Sequence, residues 1–132
     1  MSHIFLYLYP SYDYKALHIS NYPFIIQVQC LLQDVGSSIA TPSSSARDAH
    51  LARVSFSADH VKKLEAWIDS MTSELPPLRN FILPSGGKVS ATLHLARAVC
   101  RRSERSMAPL LDASDLETSA FIFMNRLSDY FF

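Results

Sequence analysis

From residue 24 onward the apolar positions recur every three or four residues, the spacing of one buried helical face. Phe24, Ile25, Val28, Leu31, Leu32, Val35 and Ile39 define a first helix. Pro23 suits its opening turn, and Thr41 and Pro42 begin the serine-rich turn that ends it. Residues 46–56 fit either a short helix or an extended connection. Ser57 is placed to cap the next helix, with Asp59 favourable in its first turn and Val61, Leu64, Trp67, Ile68 and Met71 along its apolar face. Pro76 and Pro77 predict an end near Leu75. LRNFILPSGG, residues 78–87, reads as a structured loop, because its apolar members lie between helix breakers.

A further helix is expected from about Lys88 to Leu111, with Val89, Leu93, Ala96, Cys100 and Met107 on its apolar side. Ser114 and Glu117 have capping-box spacing and predict a last helix through Met124 and Leu127 to Phe131. No stop signal follows, so that helix reads as cut short at Phe132. The first 22 residues have mixed periodicity, compatible with a short strand over Ile4 to Tyr9 or with a poorly ordered tail. No internal repeat or heptad run is found. The pattern predicts an all-α helical bundle of about four helices, with residues 1–22 set apart from a helical domain over 23–132.

Composition adds limits to that picture. The 132 residues suit one domain, and 48% hydrophobic against 18% charged residues, with three glycines, indicate a globular chain. The low charge and the aromatic-rich ends suggest that a subunit partner or further chain covers some apolar surface. Twelve basic residues balance twelve acidic ones, so no net field exists to drive nonspecific nucleic-acid binding. Cys30 and Cys100 are too few for a disulfide framework or a metal cluster, and each sits in an apolar helical pattern that favours a buried free thiol over a disulfide or a reactive role. No apolar run approaches the length needed to cross a bilayer. The first 29 residues hold one lysine, no arginine and five tyrosines, unlike a secretory or organelle-targeting segment.

The chemistry-bearing feature is an arginine ridge. At roughly 100° per residue, Arg97, Arg101 and Arg105 climb one side of their helix, with Glu104 beside them and Arg102 pointing well away. Their planar donor forks match phosphates and carboxylates. Three readings stay open on pattern alone: a solvated or interface ridge paired with acidic neighbours, a bound phosphate or carboxylate ligand, and a local nucleic-acid patch. SGGK at residues 85–88 lacks the full phosphate-loop motif, since Ile82 stands where a glycine is required and Val89 follows Lys88. Its glycines either expose N–H groups to an anion or simply make a tight turn. Asn125 inside a helix is expected first to bond another helix, and Asp129 to form a salt bridge with Arg126 or with the ridge. The five histidines show no metal-ligand spacing, and no nucleophile elbow or C-x-x-C pair is present.

Three strings carry further information: LQDVGSSIATP (32–42), FILPSGGKVSATLHLARAVCRRSER (81–105) and FMNRLSDYFF (123–132). In this order they closely resemble the PduO-type ATP:cob(I)alamin adenosyltransferases, especially the animal mitochondrial enzymes, over about residues 26–132. The resemblance implies a five-helix bundle, of which this chain holds part, and a homotrimer with active sites between subunits. It implies transfer of the 5′-deoxyadenosyl group of ATP to cob(I)alamin, with release of triphosphate. ATP and the corrinoid would be substrates, Mg2+ would accompany ATP, and neither a structural metal, a nucleic acid nor a membrane is implied. Arg101 would contact triphosphate, with Arg102, Glu104, Arg105 and Asn125 in the same nucleotide-binding block. Helical geometry favours Arg101 and Arg105 over Arg102 for direct contact, and Arg102 would act across the subunit boundary. Arg97 matches an arginine paired with an aspartate at the interface, Phe81 an aromatic residue that blocks the lower corrinoid face, and Asp129 a residue that holds the last helix. The resemblance also implies a mitochondrial location.

The departures set a second expectation. The family's glycine-rich TGD-x-G segment and first bundle helix have no counterpart in MSHIFLYLYPSYDYKALHIS, the family's last helix continues past the position of Phe132, and LDASDLET replaces the usual stretch after the arginines. The chain therefore reads as incomplete at both ends, with greatly weakened ATP binding and little turnover expected. The alternative is a noncatalytic helical subunit that associates with full-length copies.

Overall fold

A computed structural model describes residues 22–132, with side chains from Phe24 onward. The strand or tail expected in the first residues lies outside the described residues. Five helices are found among the described residues: α1 (Tyr22–Ile39), α2 (Asp48–Val54), α3 (Ala58–Thr72), α4 (Gly87–Asp112) and α5 (Thr118–Tyr130). No strand occurs among them, so the all-α expectation holds. The segment left ambiguous between helix and extended chain contains α2, which brings the count to five rather than about four. The chain divides into two compact units, residues 1–32 and 33–132. In the first, Val28 and Leu31 of α1 are buried.

The second unit is organised around α5. Its Ala120, Phe123, Met124, Leu127 and Ser128 are buried, one continuous stripe at helical spacing. Helix α5 packs against both α3 and α4. Leu64 and Val61 of α3, and Cys100 and Met107 of α4, supply the facing core positions. Phe56 meets Phe123 with ring centroids 5.2 Å apart and planes tilted by 56°, a favourable aromatic geometry. Trp67 of α3 and Tyr130 of α5 extend the contact at 6.2 Å.

Local signals explain several boundaries. Ser57 caps α3 as the sequence indicates, its hydroxyl accepting the Asp59 N–H at 3.2 Å. Helix α3 ends at Thr72, a few residues before Leu75, where the Ser73 hydroxyl donates to the Ser70 carbonyl at 2.7 Å. The capping box expected of Ser114 and Glu117 does not form. Ser114 instead takes a left-handed conformation (φ 59°) and donates its N–H to the Leu111 carbonyl, closing the end of α4. Glu117 is itself the cap residue of α5 but makes no side-chain cap bond. Its carboxylate accepts the Phe56 N–H at 2.5 Å, while the Ser119 hydroxyl donates to the Phe56 carbonyl at 2.6 Å. A long-range bond has taken the carboxylate that the local pattern assigned to the helix end.

Helix α4 opens on two glycines that both need positive φ, 98° at Gly86 and 88° at Gly87. A Cβ at Gly86 would stand 3.0 Å from the Ser90 Oγ, which donates to the Ser85 carbonyl. Gly86→Ala should therefore destabilise the protein by about 1–2 kcal/mol. Gly36, inside α1, has only open space where a Cβ would stand, and Gly36→Ala should gain about 0.5–1 kcal/mol. Thermal unfolding of the two variants should move in opposite directions; equal shifts would contradict the backbone assignment.

Candidate functional site

The arginine ridge lies along α4. Arg101, Arg102 and Arg105 are exposed and Arg97 is partly buried. Among the described residues the ion pairs are Lys62–Asp59 and Arg126–Asp129, so no ridge arginine is neutralised by a carboxylate there. Glu104, the nearest acidic candidate in sequence, is engaged elsewhere: its Oε1 accepts from the Asn125 Nδ2 at 2.8 Å. This is the interhelical bond expected of an asparagine inside a helix, and it ties α5 to the ridge. Arg126 donates from Nε at 3.1 Å and from Nη2 at 2.6 Å to the Asn125 Oδ1. Its Nη1 stands 3.3 Å from the Asp129 carboxylate. Asp129 thus takes the first of its two expected partners.

Arg97 has a different environment. Its guanidinium lies over the Phe132 ring, 4.9 Å from the centroid, within cation–π range. Its Nε is buried without a hydrogen-bond partner. The His94 ring meets the same Phe132 ring edge-on at 6.2 Å. The sequence pattern gave no sign of Phe132 here, marking it only as the residue after a helix that runs to Phe131. A contact between a helix and a residue beyond the end of another leaves no periodic signal.

Phe81 is fully exposed in the connection between α3 and α4, as are much of Leu78, Ile82 and Leu83. The structure therefore places Phe81 on a presented loop and brings Glu104 and Asn125 into direct contact, with the arginines along the same helix as Glu104. Exposed apolar side chains also occur along α4, at Val89, Leu93, Leu95 and Val99. A separate cavity of about 150 Å³, lined by Ser38, Thr41, Ser43, Leu51, Val54, Asp115 and Glu117, contains none of these residues. It is smaller than the roughly 300 Å³ at which small-molecule pockets begin. No group of three or more His, Cys, Asp or Glu side chains suited to a metal ion occurs among the described residues.

The two cysteines separate sharply. Cys100, on α4 beside Arg101, is buried and its thiol donates to the Met124 carbonyl at 3.1 Å. Burial, and then the Glu104 carboxylate, push that thiol up to about 11. Cys30 is exposed, which corrects the expectation of a buried thiol there; the residue falls on the outer side of α1, where periodicity alone does not distinguish a buried cysteine from an exposed one. Iodoacetamide at pH 8 should therefore label Cys30 and spare Cys100 until the protein unfolds. Peptide mass spectrometry showing equal labelling in the native state would overturn this.

These features define the class as an all-helical domain with exposed arginines along one helix and an asparagine–glutamate bond joining it to the next. Comparison with known proteins narrows it: the cobalamin adenosyltransferase family model matches residues 11–132, and the chain belongs to that family. It is 57% identical over 106 residues to the human corrinoid adenosyltransferase MMAB, covering 80% of this chain and 42% of that protein. The corrinoid adenosyltransferase of Mycobacterium leprae is 38% identical over 109 residues, covering 80% of this chain and 57% of that protein. Among solved structures, a variant PduO-type ATP:corrinoid adenosyltransferase from Lactobacillus reuteri complexed with cobalamin and ATP superposes with a TM-score of 0.73 at 35% identity, covering 86% of this chain and 61% of that one. The chain thus spans less than half the length of the human relative.

Proposed function

We propose that this chain carries the nucleotide-binding half of a corrinoid adenosyltransferase site, acting on ATP and cob(I)alamin. The observation that carries the reading is the row of exposed arginines with no carboxylate partner among the described residues, set beside the Asn125–Glu104 pair. In the reaction, the cobalt(I) electron pair forms a bond to the ribose C5′ as the C5′–O bond breaks. That oxygen departs with its electron pair as part of triphosphate. Arg101 and Arg105 hold the triphosphate and stabilise its charge as it leaves. Asn125, held by Glu104, binds the nucleotide, and Arg102 acts across a subunit boundary. Phe81, on its exposed loop, covers the lower corrinoid face, and Arg97 pairs with a carboxylate from an adjacent subunit. Residues 23–132 form the helical domain that bears these groups, Mg2+ accompanies ATP, and similarity to the mammalian relatives supports a mitochondrial location.

The exposed apolar side chains in the α3–α4 connection and on α4, from Leu78 to Val99, favour a second reading, in which the chain is a noncatalytic subunit that associates with longer copies. An adenosylation assay with ATP, cob(I)alamin and a reducing system separates them. Turnover abolished by Arg101→Ala supports the first. Absence of turnover, together with co-purification alongside a full-length relative, supports the second.

A further inference from the structure

The chemistry of the Asn125 neighbours determines which way its amide faces. A carboxylate only accepts and a guanidinium only donates. Glu104 must therefore face the Asn125 NH2, at 2.8 Å, and Arg126 must face its oxygen, at 2.6 and 3.1 Å. Flipping the amide would set NH2 against guanidinium and oxygen against carboxylate, losing every one of these bonds. Arg126 is in turn pinned by Asp129 at 3.3 Å. The Asn125 backbone carbonyl also accepts the Ser128 hydroxyl at 2.8 Å, one turn along the helix. The amide oxygen is thus occupied by two donors, and one Nδ2 hydrogen by Glu104. The second Nδ2 hydrogen is left to donate.

We propose that Arg126 is a positioning residue that locks the Asn125 amide in one orientation, so that Asn125 meets the nucleotide as a hydrogen-bond donor to a ligand acceptor. This rests on the nucleotide reading of Asn125 and adds both the direction of its bond and the residue that sets it. Asp129 supports the lock by holding the Arg126 side chain in place, beyond any contribution to packing of α5. Lysine cannot replace arginine fully here, because a point-charge ammonium does not present the paired Nε and Nη2 donors that converge on one oxygen.

The test uses the full chain labelled with 15N, the side-chain amide of Asn125 being assigned by its loss in Asn125→Ala. In the unsubstituted protein its two amide protons should be well separated and slow to exchange. Arg126→Leu should bring them together and speed their exchange by about tenfold, the effect of losing one or two well-made bonds. Arg126→Lys should fall between. The same order should appear in MgATP dissociation constants by calorimetry, with Arg126→Leu weaker by about tenfold. Unchanged Asn125 amide signals in Arg126→Leu would overturn the lock. So would an affinity that Arg126→Lys keeps in full while Arg126→Leu loses it, which would mark a plain charge effect on ATP. The amide measurement needs no nucleotide and judges the lock by itself. If Arg126→Leu frees the amide but Asn125→Ala leaves ATP binding unchanged, the nucleotide reading of Asn125 is what fails.

Discussion

Arg101→Ala is expected to weaken MgATP binding and any adenosylation rate by about a hundredfold or more. That is the scale on which a pre-placed donor stabilising a charged leaving group contributes. Arg101 lies in the middle of the ridge, one turn from both Arg97 and Arg105, and among the described residues no carboxylate offsets its charge. Its removal therefore takes away an available guanidinium rather than one already neutralised. Arg102→Ala is the informative comparison. Arg102 is exposed like Arg101, and one residue along a helix it points about 100° away. In an isolated chain its loss should reduce affinity several-fold less. Calorimetric titration of MgATP into both variants tests this, and equal losses would show that ridge geometry does not select the contact. Since both residues are exposed, neither substitution should shift the unfolding transition appreciably.

Phe123→Ala is expected to have the largest effect on stability, about 3–5 kcal/mol. The Phe123 side chain is completely buried, lies on the central stripe of α5 and packs against the Phe56 ring. Helix α5 joins α3 to α4, so a cavity at this point loosens both contacts at once. Against a total stability of roughly 5–15 kcal/mol for a domain, such a loss would leave a substantial unfolded fraction in mild denaturant. Urea unfolding should show a lower midpoint. A shift below about 1 kcal/mol would mean that neighbouring side chains collapse into the space or that the stripe is not the core. Ile122→Ala, one position away and 40% exposed, should cost far less and provides the control.

The residues that sequence reading located correctly share a local cause. The spacing of Val61 and Leu64, of Cys100 and Met107, and of Met124 and Leu127 follows the helical period, and those residues are buried. Ser57 before Asp59 carries its own capping chemistry within two residues, and the bond forms. The ridge of Arg97, Arg101 and Arg105 is likewise a consequence of i, i+4 spacing on one helix. Where local reading failed, a distant group competed for the same atom. Glu117 had the spacing to cap a helix, yet its carboxylate serves the Phe56 N–H, 61 positions away. The exposed Cys30 shows the weaker side of periodicity, which marks a face of a helix without stating what covers it.

Four of the five helices, the ridge and, through three family strings, membership of the cobalamin adenosyltransferases were legible in the chain alone, because each depends on residues close together along it. The packing of the helices was needed to learn that Glu104 serves Asn125 rather than an arginine, that Arg126 holds the other side of that amide, and that Arg97 rests on Phe132. Two of those three contacts join residues on different parts of the fold, and the third, between neighbours, gains its meaning from Glu104 on another helix. Their partners are fixed by how α4 and α5 pack, and a hydrogen bond has no periodicity from which such packing can be read in advance.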